Sequence, residues 1–192
     1  MKLRQETIRT FIAIEIPDEI QAKLVEIQTE LAKFMLRVSW VKQSNIHLTL
    51  KFLGDIQANQ VESINSVLQS VAESHSPFDM SLAEIGVFPN LRRPRVIWIG
   101  ITKGAEQATQ LAKAVSNSLQ PLGFQREKRG FTPHLTLGRI RRPVNLQNVS
   151  SKFNQYDNLD IPTLKIDQIA FIQSQLHPRG SIYTPLRKFA LK

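Results

Sequence analysis

"HLTL" stands at His47–Leu50 and again, letter for letter, at His134–Leu137, in a chain of 192 residues with only four histidines. At average residue usage, one histidine–apolar–threonine–apolar string is expected by accident in a few per cent of chains this long, and two in roughly one in a thousand. The repeat calls for duplication, shared chemistry, or both. Its surroundings repeat too. "RTFIAIEI" (9–16) leads through a helix and a loop to His47, 38 residues beyond Arg9, and "RVIWIGI" (95–101) leads through the same order to His134, 39 residues beyond Arg95. Two such halves, related by a pseudo-twofold axis, would bring their histidine strands to face each other across a groove.

Hydrophobic spacing supplies the remaining elements. The apolar, β-branched run 9–16 reads as a buried strand. Pro17 and Asp18 then open a helix carrying Ile20, Leu24, Ile27, Leu31 and Phe34 on one stripe. "RVSWV" (37–41) and "IHLTLKFL" (46–53) read as strands, and Val61, Ile64, Leu68 and Val71 mark a second helix. "FDMSLAEIGVF" (78–88) and "RVIWIGI" read as strands joined across "PNLRRP". A third helix runs from Ala105 to Leu119, and "LKIDQIAFIQS" (164–174) and "SIYTPLRKFAL" (181–191) form a last pair around the turn "HPRG". No low-complexity linker divides the chain, so residues 1–192 are expected to form one unit of two lobes.

Composition narrows the function classes. At 42% hydrophobic residues the chain can fold as a soluble globular protein, and with no cysteine it has neither disulfides nor a thiolate nucleophile. A cytoplasmic address is expected. The opening "MKLRQETIRT" is polar and "FIAIEI" is too short for a signal core or a membrane span, so no membrane role follows. A formal net charge of +9 favours an anionic partner. Placement sharpens this: Arg126, Lys128, Arg129, Arg139, Arg141 and Arg142 bracket the second motif, and Arg92, Arg93 and Arg95 crowd one loop.

In a strand, residues i and i+2 share a face, so His47 with Thr49, and His134 with Thr136, point away from the leucines that enter the core. Two imidazoles and two hydroxyls around one cavity suit a phosphodiester. One imidazole can accept a proton while the other donates one near neutrality, and the hydroxyls can bond non-bridging phosphoryl oxygens. No metal is required, since H-x-T supplies one ligand per strand where zinc needs three or four, and no phosphate-cradling glycine loop points to ATP. His75 and His177, in "ESHSP" and "QLHPR", read as structural. Arg139 is the best candidate for a direct phosphate contact. Strict alternation sends it to the wrong face, unless a kink or bulge near Gly138 re-aims it. Phe52, at the same odd offset from His47, and Phe11 could stack on a nucleobase or belong to the core.

Together, "RTFIAIEIP", "VSWVKQSNIHLTLKFLGDI", "GVFPNLRRPRVIWIGI" and "FTPHLTLGRI" resemble the two-histidine (2H) phosphoesterase superfamily, and within it the RNA 2′,3′-cyclic phosphodiesterases once called 2′-5′ RNA ligases. The resemblance runs from about Arg9 to the C-terminus. It implies a bilobal α+β fold of two antiparallel sheets with flanking helices lining a central groove, no cofactor, and hydrolysis of a terminal RNA 2′,3′-cyclic phosphate to a 2′-phosphomonoester. It further implies His47 as proton donor, His134 as proton acceptor, Thr49, Thr136 and Arg139 at the phosphate, and Phe11 and Phe52 near the nucleotide. RNA is then the partner and the chain a monomer without an obligate protein partner, able in principle to run the chemistry as 2′-5′ ligation. A small cyclic nucleotide, an ADP-ribose cyclic phosphate, or RNA binding without catalysis are the alternatives.

Overall fold

A computed structural model of the chain describes residues 7–35, 37–126, 130–142, 145–157, 159–178 and 180–192. The first half contains β1 (Thr7–Glu15), α1 (Asp18–Ala32), β2 (Val38–Trp40), β3 (His47–Gln57) and α2 (Val61–Glu73). After it come β4 (Phe78–Met80), β5 (Leu82–Phe88), β6 (Val96–Ile101), α3 (Ala105–Ser118) and β7 (His134–Ile140). A 3-10 segment at Gln147–Tyr156 precedes β8 (Leu164–Ile166), β9 (Gln168–Gln175) and β10 (Ile182–Ala190).

Two stretches read as single strands are each two. "FDMSLAEIGVF" breaks at Ser81, whose backbone bonds Lys103 and Thr102, so that β4 pairs with β8 while β5 pairs with β6. "LKIDQIAFIQS" breaks at Asp167 into β8 and β9. Alternation records that a residue is buried and does not record which neighbour buries it.

The main sheet runs β10-β9-β1-β3-β7-β6-β5, antiparallel throughout, with β2 on β7. The sheet divides into two antiparallel half-sheets, β10-β9-β1-β3 and β7-β6-β5 with β2, which meet edge to edge through a single register pair, Leu48 with Leu135; the first takes its outer strands β9 and β10 from the C-terminal end of the chain. These leucines hold the same position in the two "HLTL" copies. Antiparallel pairing of a residue with its own counterpart places the pseudo-twofold axis there.

The halves interlock across that axis. β2, from the first half, pairs with β7 of the second, α1 packs toward β7, and α3 packs toward β3. Buried Lys51 on β3 donates to the Gln125 carbonyl at 2.7 Å and to the Ser116 hydroxyl at 3.2 Å. Ile12, Ile14, Leu48, Leu135 and Leu137 enter one continuous core with Leu24, Leu68 and Leu111 of the three helices. Leaving Leu135 as alanine would cost about 2–5 kcal/mol by the usual measure for a buried leucine. The opposite face of the β10-β9-β1-β3 half-sheet carries a second, smaller cluster of Phe11, Ala13, Ala170 and Ile172, with Tyr183 against it. No helix among the described residues is long and apolar enough to cross a membrane.

Candidate active site

Period-two geometry places His47 and Thr49 on the helix-free face of β3, and His134 and Thr136 on that of β7, while the four intervening leucines are buried. A bulge then alters the strand beyond each motif. On β7, Thr136 pairs with Trp98 and Gly138 with Ile97, leaving Leu137 unpaired by β6. Arg139 therefore pairs with Val96, two residues from Trp98, and lies on the same face as His134 and Thr136. On β3, Thr49 pairs with Ala13 and Lys51 with Ile12, leaving Leu50 unpaired by β1. Phe52 pairs with Phe11 and joins the histidine face. The bulge is part of the repeat, and Phe52 and Arg139 occupy one slot in two copies.

The second bulge is pinned from the other half. The Leu137 carbonyl accepts Gln28 Nε2 from α1 at 2.8 Å and the Val41 amide at 2.9 Å, and Gln28 also reaches the Val41 carbonyl. Gly138 has room only for hydrogen, because an added Cβ would lie 2.5 Å from Val38 Cγ1.

Each imidazole is fixed the same way. His47 Nδ1 lies 2.8 Å from the Asn45 carbonyl and His134 Nδ1 lies 2.6 Å from the Thr132 carbonyl, both two residues upstream. A carbonyl only accepts, so Nδ1 carries a hydrogen in both rings and Nε2 is the basic nitrogen of the neutral imidazole. His47 Nε2 meets the Thr49 hydroxyl at 2.9 Å. Aromatic walls complete the seats: Phe11 at 4.8 Å and Tyr183 at 5.3 Å from the His47 ring, Phe88 at 5.0 Å and Trp98 at 6.3 Å from the His134 ring.

These walls set the electrostatics. Burial pushes His47 down to about 4, opposed by the Asn45 carbonyl, furthered by the positive charge of Arg139, and opposed again by Glu15. Burial also lowers His134, against its bond to Thr132, and Arg139 again adds to the lowering. One guanidinium thus lowers both rings.

The other sequence candidates divide. Phe11 is 2% exposed and lies under the face, whereas Phe52 is 58% exposed with its ring 6.1 Å from that of Phe11. Arg92, Arg93, Arg95, Arg126, Arg141 and Arg142 are exposed, and Lys128 and Arg129 lie outside the described residues. His75 Nδ1 bonds the Val71 carbonyl at 2.7 Å, tying down the end of α2 away from the site.

The description "LigT like Phosphoesterase" matches residues 14–98 and again 99–183, one match per half. The chain is a LigT-like phosphoesterase. This LigT-like chain is 30% identical to an RNA 2′,3′-cyclic phosphodiesterase of Methanothermobacter thermautotrophicus, covering 96% of this chain and 99% of the relative. A namesake from Archaeoglobus fulgidus is 35% identical, with 95% and 99% covered. Among solved structures, a Thermus thermophilus protein superposes with a TM-score of 0.78 at 28% identity, covering 96% of this chain and 98% of that one. Escherichia coli LigT complexed with 3′-AMP superposes with a TM-score of 0.76 at 25% identity, covering 97% and 99%.

Sequence reasoning missed the supports of the LigT-like site. Asn45 and Thr132 were within reach, since each sits two residues before its histidine, although the bond uses backbone carbonyls. Phe88, Trp98 and Tyr183 read as ordinary strand residues, and Gln28 as one polar residue of a helix. Only the assembled sheet brings them to the imidazoles or the bulge.

Proposed function

We propose that this LigT-like phosphoesterase hydrolyses the 2′,3′-cyclic phosphate at an RNA end to a 2′-phosphomonoester, by acid–base catalysis between His47 and His134. The observation that carries the reading is the duplicated seat: two Nδ1-anchored imidazoles presenting Nε2 on one face, with Arg139 acting on both. His134 Nε2 takes a proton from water as the water oxygen bonds phosphorus. His47 Nε2, protonated, gives its proton to the departing 3′ oxygen as that bond breaks. Thr49, Thr136 and Arg139 hold the non-bridging oxygens, where charge grows in the transition state.

Both imidazoles sit low in the free protein, and an anionic phosphodiester entering between them offsets Arg139 and raises them toward neutrality. Exposed Phe52 offers a ring to the terminal base, and the exposed arginines near Arg139 offer a path for RNA phosphates. The names of the relatives, and the 3′-AMP held by E. coli LigT, support RNA over an unrelated diester. A 5′ hydroxyl in place of water would give a 2′-5′ linkage by the same two transfers. Both histidines and Arg139 come from one chain, which supports a monomer, and the lack of cysteine supports a cytoplasmic one.

The test is incubation of the full chain with a short RNA ending in a 2′,3′-cyclic phosphate, in the presence of EDTA. Conversion to a 2′-phosphate is expected. Tight binding of the RNA with the cyclic end left intact would replace the enzyme by a binding module.

A further inference from the structure

The two histidine seats share their carbonyl anchor, their aromatic wall and Arg139, and burial, the largest influence on both rings, holds His47 down at about 4, so a proton on His47 needs a negative charge that these shared parts do not supply. The cross-strand partner does distinguish them. His47 is paired directly with Glu15 on β1, and His134 is paired directly with Gly100 on β6. The positions are equivalent, because Thr49 opposite Ala13 and Thr136 opposite Trp98 stand two residues away in each half. Directly opposed residues share a face with Cβ atoms about 5 Å apart, so a carboxylate stands beside one imidazole and a bare backbone beside the other.

The carboxylate is itself held. Lys188 of β10 forms an ion pair with Glu15 Oε2, and Glu15 and Lys188 line a cavity of about 380 Å³ with Asp18, Lys165 and Asp167. His47 is thus faced by Glu15 from β1, by Arg139 from β7 and by the Tyr183 ring from β10, with Lys188 acting through Glu15.

The geometry points to Glu15 as the positioning residue that breaks the symmetry of the two motifs, drawing the catalytic proton to His47, with Lys188 limiting its pull. This deepens the phosphodiesterase reading and rests on it for the catalytic consequence. A negative charge beside one ring favours imidazolium there. It also opposes the charge of Arg139, which lies near both rings. Gly100 gives His134 no such help, leaving it neutral and ready to accept a proton from water.

The experiment is an NMR titration of the histidine side chains in the full chain, from about pH 8 to about pH 3, so that the low His47 midpoint falls inside the range, with inorganic phosphate as the anion. Wild type is compared with Glu15→Gln and Lys188→Met, and kcat and KM are measured on the cyclic-phosphate RNA alongside. Glu15→Gln is expected to lower the His47 midpoint by about half a pH unit or more, leaving His134 in place. Lys188→Met is expected to move His47 the other way. On RNA, Glu15→Gln should lower kcat several-fold near neutrality with little change in KM. Equal shifts of both rings, or no shift of His47 in either variant, would overturn the proposal. A wild type inactive on RNA, with the His47-selective shifts present, would defeat the phosphodiesterase reading and still uphold Glu15 as the source of the proton bias.

Discussion

Phe52 and Arg139 occupy the same slot in the two halves, five residues past a histidine and beyond a one-residue bulge, yet one is an exposed aromatic ring and the other a guanidinium. Around them the halves diverge in the same sense. Phe52 extends the wall of Phe11 and of Tyr183 from β10 beside His47, while the slot of Arg139 leads outward to exposed Arg141 and Arg142. On the proposed mechanism, a duplicated scaffold keeps what both proton transfers need and specialises the flanking slot, one toward a base and the other toward phosphate.

The sharpest way to break the comparison is to remove the shared part. His47→Ala and His134→Ala should each lower kcat on cyclic-phosphate RNA by about 10²–10⁴-fold, the usual range for a general acid or base. A large loss in one and a small loss in the other would end the equivalence of the motifs. Exchanging the specialised slot comes next. Arg139→Met should lower kcat by about 10²-fold and move the pH–rate curve upward, because its charge lowers both imidazoles. Phe52→Leu should instead raise KM by about tenfold and leave the pH–rate curve in place.

Stability against pH tests the burial of His47. Its folded value of about 4 lies below the ordinary 6.5, so the unfolded chain binds the extra proton between those values. The stabilisation it contributes is complete above about pH 6.5 and is lost as pH falls through about 4, amounting to about 3 kcal/mol. Denaturant melts of the wild type and His47→Gln should therefore converge or cross as the pH is lowered. Gln28→Leu should cost about 1–3 kcal/mol in the same melts, and should lower kcat several-fold by releasing the bulge that aims Arg139. The smallest effect belongs to the outer arginines: Arg93→Ala or Arg141→Ala should raise KM a few-fold for an oligonucleotide, leave a mononucleotide unaffected, and reduce the salt slope by about one.

Much of this was legible in the sequence because the repeat is written in residue identity. The spacing from Arg9 to His47 and from Arg95 to His134 corresponds to β1–α1–β3 and β6–α3–β7, and H-x-T fixes a shared face by parity alone. The conflict over Arg139 was legible as well, and its resolution at the Leu137 bulge needed the pairing with β6. What could not be read was partner choice: the splitting of 78–88 and 164–174, the single leucine pair joining the half-sheets, and the placing of Gln28 under the opposite lobe. Glu15 looked like one charge at the end of an apolar strand, and only the register sets it against His47.

The measurement that tests the division of labour most directly is hydrolysis of an RNA whose cyclic phosphate carries sulfur at the 3′ bridging position, a leaving group that needs no proton. Wild type, His47→Ala and His134→Ala are compared with the same enzymes on the oxygen substrate. If His47 supplies the proton to the leaving group, sulfur restores most of the rate of His47→Ala and does nothing for His134→Ala. Rescue of His134→Ala alone, or of neither variant, would contradict the assignment of acid to the first motif and base to the second.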